Sequence, residues 1–460
     1  MKSYELMPTH ENLINAFSYN AIDRNKDVFS FADILNSLED SCSIALDGNW
    51  GSGKTFFVHQ VKMFLEATNP FITTMSNEDR EIIIQEWKHL HKNNEPEIQP
   101  HVAIYYDAWE NDSDDDPVLS IVYTILKSID ASFEISQEAD FFSIASDILE
   151  TFTNHNWGSL INSFRSEDPL AELRKSKAIQ EEIERFFDAI LEERGNRLVI
   201  FVDELDRCKP SFAVRLLERI KHYFSNERIS FVFSINTSEL QHTIKRYYGN
   251  DFDAYRYLDR FFDLRMSLPP ADLNLFYRSL NFNSSMYVYD VMCHSVITKY
   301  NFSLREIAKY LRLTKIAAHK PTHSEGKDIS LEFPEGRAKL FCMYFIVPIM
   351  LGLKVSDTNR LNRFVAGEDY SPLMDFSTVN LHIFEDLLNR DEDYNPANEN
   401  IKKVDIDDKL KEVYEAVFNI EYSGALYHKS IGKYLFNKDT KGMLLRVTGL
   451  FSGYNSFDYE

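Results

Sequence analysis

The residues best suited to chemistry form one tight run, Gly48-Asn49-Trp50-Gly51-Ser52-Gly53-Lys54-Thr55. It matches G-x-x-x-x-G-K-[ST] and is preceded by a short apolar run, residues 41–46, and followed by helical spacing over residues 56–66. That context makes it a phosphate loop rather than a glycine-rich turn with a chance lysine. Glycines let the backbone curl until successive N–H groups face one concavity, an anion nest. The helix that opens near Gly53, with Phe56 in its first turn, adds its positive end. Lys54 is expected to neutralise β- and γ-phosphate oxygens, and Thr55 to offer its hydroxyl to Mg²⁺.

A second constellation supplies carboxylates. In Leu198-Val-Ile-Phe-Val-Asp203-Glu204-Leu205-Asp206-Arg207, an apolar strand ends in acids. Ligands of open α/β sheets bind at the carboxyl ends of strands, which is where these acids fall. Asp203 is expected to hold Mg²⁺, and Glu204 to orient or deprotonate an attacking water. Asp206 fits a helix N-cap for the segment starting near Pro210 as well as it fits a catalytic role. Asn236, after the apolar run 229–235, could reach between a γ-phosphate and the water, or serve as an ordinary cap.

These residues need a scaffold, and the chain can supply one. Its 460 residues are 44% hydrophobic and 27% charged, enough for a sizeable core. Strand candidates at 41–46, 102–106, 197–202 and 229–235 alternate with helical stretches, and each is nearly continuous in apolar residues. That pattern predicts an α/β parallel sheet flanked by helices. An amphipathic helix over 29–38 closes a lead-in of residues 1–40. The core spans 41–270, with polar insertions at about 67–100 and 111–195. The acidic loop 111–116 reads as a solvated helix start rather than a calcium loop. Pro269-Pro270 ends the core; beyond it strand signals fade, and helical segments 271–330 and 331–460 follow.

Four scattered cysteines without a C-x-x-C pair argue against a disulfide framework and a structural zinc site, and fit a reducing cytoplasm. The first residues lack an apolar signal core, and the run Leu340 to Leu353, short and interrupted by Pro348, reads as a buried helix. A soluble, cytoplasmic chain without a membrane partner is the expectation. Acids outnumber bases 72 to 50, a net charge of -22, which excludes a surface that coats nucleic acid as a whole.

Together, Gly48–Thr55, Tyr106-Asp-Ala-Trp-Glu110, Phe201-Val-Asp-Glu-Leu-Asp-Arg207 and Tyr257-Leu-Asp-Arg-Phe-Phe-Asp263 running into Leu268-Pro269-Pro270 resemble the KAP family of P-loop NTPases, of the additional-strand class. The resemblance covers roughly residues 20 to 320. It implies a P-loop NTPase core, ATP bound along Gly48 to Phe56, and Mg²⁺ with hydrolysis at Asp203 and Glu204. It also implies a helical lid at 271–330. Asn236 falls at the family's sensor-like position, where many members carry aspartate. Arg260, on a predicted helix ahead of Pro269-Pro270, resembles the arginine finger of related ring ATPases, and Arg305, at the start of a helix, a lid-domain sensor arginine; salt bridges to Asp259, Asp263 or Glu306 are their ordinary alternatives. Many members insert transmembrane helices between the two nucleotide motifs, whereas the insertion here is polar.

Two functions follow from different classes. One is an Mg-dependent ATPase that switches or remodels a partner, as a homo-oligomer or in a hetero-complex; the resemblance adds a role in bacterial anti-phage defence. The other is an ATP-gated scaffold with negligible hydrolysis that binds a protein through its C-terminal helices. Charge is uneven: residues 201–330 alone are positive, with 19 bases against 15 acids. That stretch contains Arg260 and Arg305, so the basic face is expected to meet nucleotide first and a neighbouring subunit second, with nucleic acid left open.

Overall fold

The structure, a computed structural model, describes residues 7–20, 23–92, 94–114, 116–132, 169–224, 226–280, 282, 288–322, 336–379, 383–388, 399–419 and 428–449. Residues 133–168 of the second expected insertion, and 323–335 where the expected lid meets the C-terminal region, lie outside them. The chain forms two compact units, Leu6–Phe276 and one drawn from Tyr277–Glu460.

In the first unit, α1 (His10–Tyr19) and α2 (Asn25–Asn36) lead into β1 (Cys42–Asp47), α3 (Lys54–Thr68), α4 (Asn77–Leu90), β2 (His101–Asp107) and α5 (Pro117–Ser132). Helix Pro169–Arg194 feeds β3 (Arg197–Asp203), and helix Pro210–Tyr223 feeds β4 (Ile229–Ile235). Helices Thr237–Tyr248 and Ala254–Leu258 precede β5 (Leu264–Ser267). The five strands pair in parallel in the order β2-β3-β4-β1-β5. β4 thus stands between the strand that launches the phosphate loop and the strand that carries the acids, the additional strand of the expected class.

The apolar runs explain this sheet. Side chains alternate between two faces, so a strand buried on both must be apolar throughout. Leu198, Ile200 and Val202 enter one core with Phe186, Phe187 and Phe212. Val199 and Phe201 enter the other, with Phe29, Phe57 and Phe64 from α2 and α3. β5 breaks the pattern: Leu264, Arg265 and Ser267 are exposed and, among the described residues, the strand pairs only with β1, so no continuous apolar run announces it. It replaces the helix expected to carry the chain to Pro269.

The polar stretches have structural uses. Within 67–100, α4 is capped by Ser76, which accepts from the Asp79 amide, and it buries Trp87, stacked 5.2 Å from Phe64. In the acidic loop, Asp116 accepts from the amides of Val118 and Leu119 at the start of α5, and Asp112 from that of Lys209. These carboxylates stand at helix starts.

The second unit is helical, with Val288–Lys299, Leu304–Thr322 and a run Gly336–Phe341, Cys342–Ile346 (a π turn) and Val347–Ser356. Ala338–Ser356 is longer than the expected Leu340–Leu353 and is long and apolar enough to cross a membrane, yet 72% of it is buried inside the unit. Phe341 packs on Tyr434 at 5.0 Å and Phe345 on Phe384 at 4.9 Å, so aromatic side chains line the buried face of this run. One element is an addition to the helices: strands His428–Ile431 and Tyr434–Asn437 form an antiparallel hairpin. Its Gly432 has φ +56°, and a Cβ there would lie 2.2 Å from the Asp386 carbonyl.

Candidate functional site

The phosphate loop leaves the carboxyl end of β1 and closes against α3. Gly51 and Gly53 take φ of +78° and +93°, conformations that a side chain resists, and this turn requires them. Lys54 is buried, and its ammonium donates to the carbonyls of Gly48 at 2.6 Å and Asn49 at 3.2 Å. Burial lowers its pKa, opposed by the charges of Asp206, Asp203, Glu204 and Asp47. Ser52 Oγ is buried without a hydrogen-bond partner, and the half-buried Thr55 hydroxyl has none among the described residues. The Phe56 side chain packs into the core beside α2, so only its backbone amide is left for a phosphate.

Strand register aligns the acids with this loop. Asp107 of β2 lies opposite Asp203 of β3, Asp203 opposite Ser234 of β4, and Ile235 opposite Asp47 of β1. Asp203 is 2% exposed; its carboxylate accepts from the Tyr105 hydroxyl at 3.1 Å and from the Glu204 amide at 2.9 Å. Burial, reinforced by the charges of Asp203 and Asp107, pushes the Tyr105 hydroxyl far above its ordinary range, so Tyr105 remains a donor. His59 of α3 packs against Tyr105 with its ring tilted by 33°, ring centres 4.1 Å apart, and burial holds its pKa down to about 4.

Glu204 has left-handed backbone, φ +59°, at the exit from β3. Burial first, and then the charge of Asp203, raises its carboxyl to about 7, against the pull of Arg207. Arg207 Nε contacts Glu204 Oε2. The same guanidinium lies 5.7 Å from the Trp50 ring and 5.6 Å from the Trp109 ring. Asp206, 7% exposed and raised by burial, accepts from the Trp50 indole N–H at 2.5 Å. It is not the cap of helix Pro210–Tyr223: the cap position is Lys209.

Asn236 caps helix Thr237–Tyr248, its Oδ1 accepting from the amides of Ser238 and Glu239. Arg260 sits in a turn after the short helix Ala254–Leu258, not on a helix; its side chain is exposed and its carbonyl accepts from Lys221. Neither expected partner pairs with it: Asp259 pairs with Arg265, and Asp263 accepts from the Ser43 amide. Arg305 belongs to the other unit, exposed in the first turn of Leu304–Thr322, where Glu306 is engaged by Ser303 in a reciprocal cap.

Several residues were not singled out by sequence. Arg24, 3% exposed, donates to the carbonyls of Ser52 at 3.0 Å and Pro269 at 2.7 Å, joining the phosphate loop to the chain after β5. Burial lowers it to about 10. No motif marks a lone arginine that far from its partners. Tyr105 reads only as a strand residue, and Trp109 and Arg207 read as family motif letters without a task.

What could hold a cation is one hydroxyl, Thr55, and one carboxylate, Asp203. No cluster of three or more His, Cys, Asp or Glu side chains suits a metal among the described residues. A few hard oxygen donors, with the remaining positions for phosphate and water, suit Mg²⁺.

The family model for the KAP family P-loop domain matches residues 24–287. No curated protein matches the chain. Among solved structures, the chain is similar to the Aeropyrum pernix ORC2 protein, in ADPNP-ADP complexes: 12% identity, 84% of this chain and 94% of that one covered, TM-score 0.32. It is also similar to Drosophila ORC bound to poly(dA/dT) DNA and Cdc6: 11% identity, 90% of this chain and 51% of that one, TM-score 0.30. It thus spans about half of the Drosophila chain. The family match takes in more than half of the chain and runs from Arg24 through the phosphate loop, Trp109, the acidic end of β3 and β5. With a parallel five-stranded sheet that has its additional strand between β1 and β3, the chain belongs to the KAP family of P-loop NTPases.

Proposed function

We propose that the protein is an Mg²⁺-dependent ATPase whose hydrolysis drives a switch in, or remodels, a protein partner. The observation that carries this reading is the joining of phosphate loop and acidic strand end at one sheet edge, through Trp50–Asp206 at 2.5 Å and the aligned register of β1, β4 and β3. Lys54 would exchange the Gly48 and Asn49 carbonyls for β- and γ-phosphate oxygens, while the amides of Gly51 to Phe56 line the loop. Thr55 and Asp203 would hold Mg²⁺, which when bound neutralises charge on the phosphates. Glu204 would take a proton from water as its oxygen attacks the γ-phosphorus and the bond to the β–γ bridging oxygen breaks, leaving ADP and phosphate. Asn236 would contact the γ-phosphate, and Arg260 would reach a neighbouring subunit's site.

A phosphate-release assay with Mg²⁺-ATP tests this. Turnover should be lost in Lys54→Ala, with nucleotide binding, and in Glu204→Gln, without loss of binding. Equal release by wild type and both variants would refute it. The Glu204–Arg207 contact favours a second reading, an ATP-gated scaffold in which the base is kept occupied; nucleotide binding without Lys54-dependent turnover would select it. The anti-phage role rests on the family resemblance, and protection of cells that is lost in Lys54→Ala would support it.

A further inference from the structure

We propose that Arg207 is the positioning residue for Glu204, and that Trp50 transmits the state of the phosphate loop to it. This rests on the ATPase reading above. Arg207 stands at the end of the turn Leu205–Arg207, immediately after Glu204, and its amide donates to the Glu204 carbonyl at 3.0 Å. Its Nε engages Glu204 Oε2, with both side chains mostly covered, at 25% and 15% exposure. A guanidinium bonded to one carboxylate oxygen fixes where the other points, and so fixes the direction in which Glu204 can accept a proton.

What fixes Arg207 is the pair of indoles. Trp50 and Trp109 are 46% and 54% exposed, so neither is a core residue, and both lie within cation–π range of the same guanidinium. Trp109 rides on the turn after β2. Trp50 rides on the phosphate loop itself, between Asn49, whose carbonyl Lys54 holds, and Gly51 at φ +78°. Its indole N–H is fastened to Asp206, next to Arg207. A Lys54 that turns to phosphate frees the Gly48 and Asn49 carbonyls just before Trp50, and Trp50 touches both Asp206 and Arg207. The chain of contacts from loop to base is therefore Lys54, the Asn49 carbonyl, Trp50, Arg207, Glu204. A surface ion pair would need neither indole.

The full-length protein tests this by steady-state ATP hydrolysis, with dissociation constants for a fluorescent ADP analogue measured alongside. Arg207→Ala should lower kcat about ten-fold or more while the dissociation constant stays within about two-fold, and Arg207→Lys should recover part of the loss. Trp50→Ala should lower kcat in the same way, and the double variant should be no worse than Arg207→Ala alone. Trp50→Phe, which keeps a ring but no N–H, should fall between. Wild-type kcat in Arg207→Ala, a loss of binding as large as the loss of turnover, or losses that multiply in the double variant would each overturn the proposal. Absence of Lys54-dependent turnover in the wild type would instead remove the ATPase reading on which it rests.

Discussion

Lys54 and Arg24 are two buried cations that brace one loop, Lys54 from within it and Arg24 from the start of α2, and both are held by backbone carbonyls rather than carboxylates. Their tasks differ. Four acids around Lys54 oppose the burial that lowers its pKa, an environment that suits a cation that changes partners. Arg24 ties Ser52 to Pro269 and has nothing to exchange; Arg24→Met should cost about 3 kcal/mol, because two carbonyls lose a charged donor, and a chemical denaturation curve measures it. His59 gives a pH dependence of known sign. Its folded pKa is about 4 against an ordinary 6.5, so the unfolded chain binds the extra proton between those values. Stability should fall as pH drops from 6.5 to 4, by up to about 3 kcal/mol, and no further below 4 on this account. His59→Phe, which keeps a ring against Tyr105, should flatten that part of a melting-temperature profile.

At the scale of elements, helix starts do much of the positioning. Asn236 spends its Oδ1 on the amides of Ser238 and Glu239, which leaves its amide nitrogen for a phosphate. Asn236→Ala should cost about 1 kcal/mol of stability. Asn236→Asp keeps the cap but loses the donor, so it should retain stability and lose turnover; unchanged turnover would leave Asn236 a cap alone. The hairpin turn is sharper still: Gly432→Ala would force a Cβ to 2.2 Å from the Asp386 carbonyl at a left-handed φ. A loss of more than about 2 kcal/mol, read by denaturation, is expected there. Four apolar runs were legible as strands because burial on two faces demands them, the edge strand β2 included, since its side chains are nearly all covered. β5 and the hairpin were not, since these short strands carry exposed residues such as Leu264, Arg265 and His428 that imitate loops.

For the molecule as a whole, the net charge of -22 is carried outside residues 201–330. Arg260, exposed and without an ion pair among the described residues, lies in that positive stretch, as a residue directed at a neighbour would. If it acts in trans, mixing Arg260→Ala with Lys54→Ala should restore part of the turnover that each lacks alone, and no recovery would confine Arg260 to its own subunit. Light-scattering mass should rise with a non-hydrolysable ATP analogue in the wild type and remain unchanged in Lys54→Ala.

By itself the sequence determined the loop, the acidic strand end and the family, because glycine conformations, helix starts and strand burial are local demands that fix residue types at fixed spacing. Only the tertiary structure decided that Trp50 meets Asp206, that Arg207 grips Glu204 between two indoles, and that Arg24 closes the loop onto Pro269. Those contacts join residues as many as 245 positions apart, and their partners are carbonyls, rings and single oxygens that leave no periodic trace along the chain.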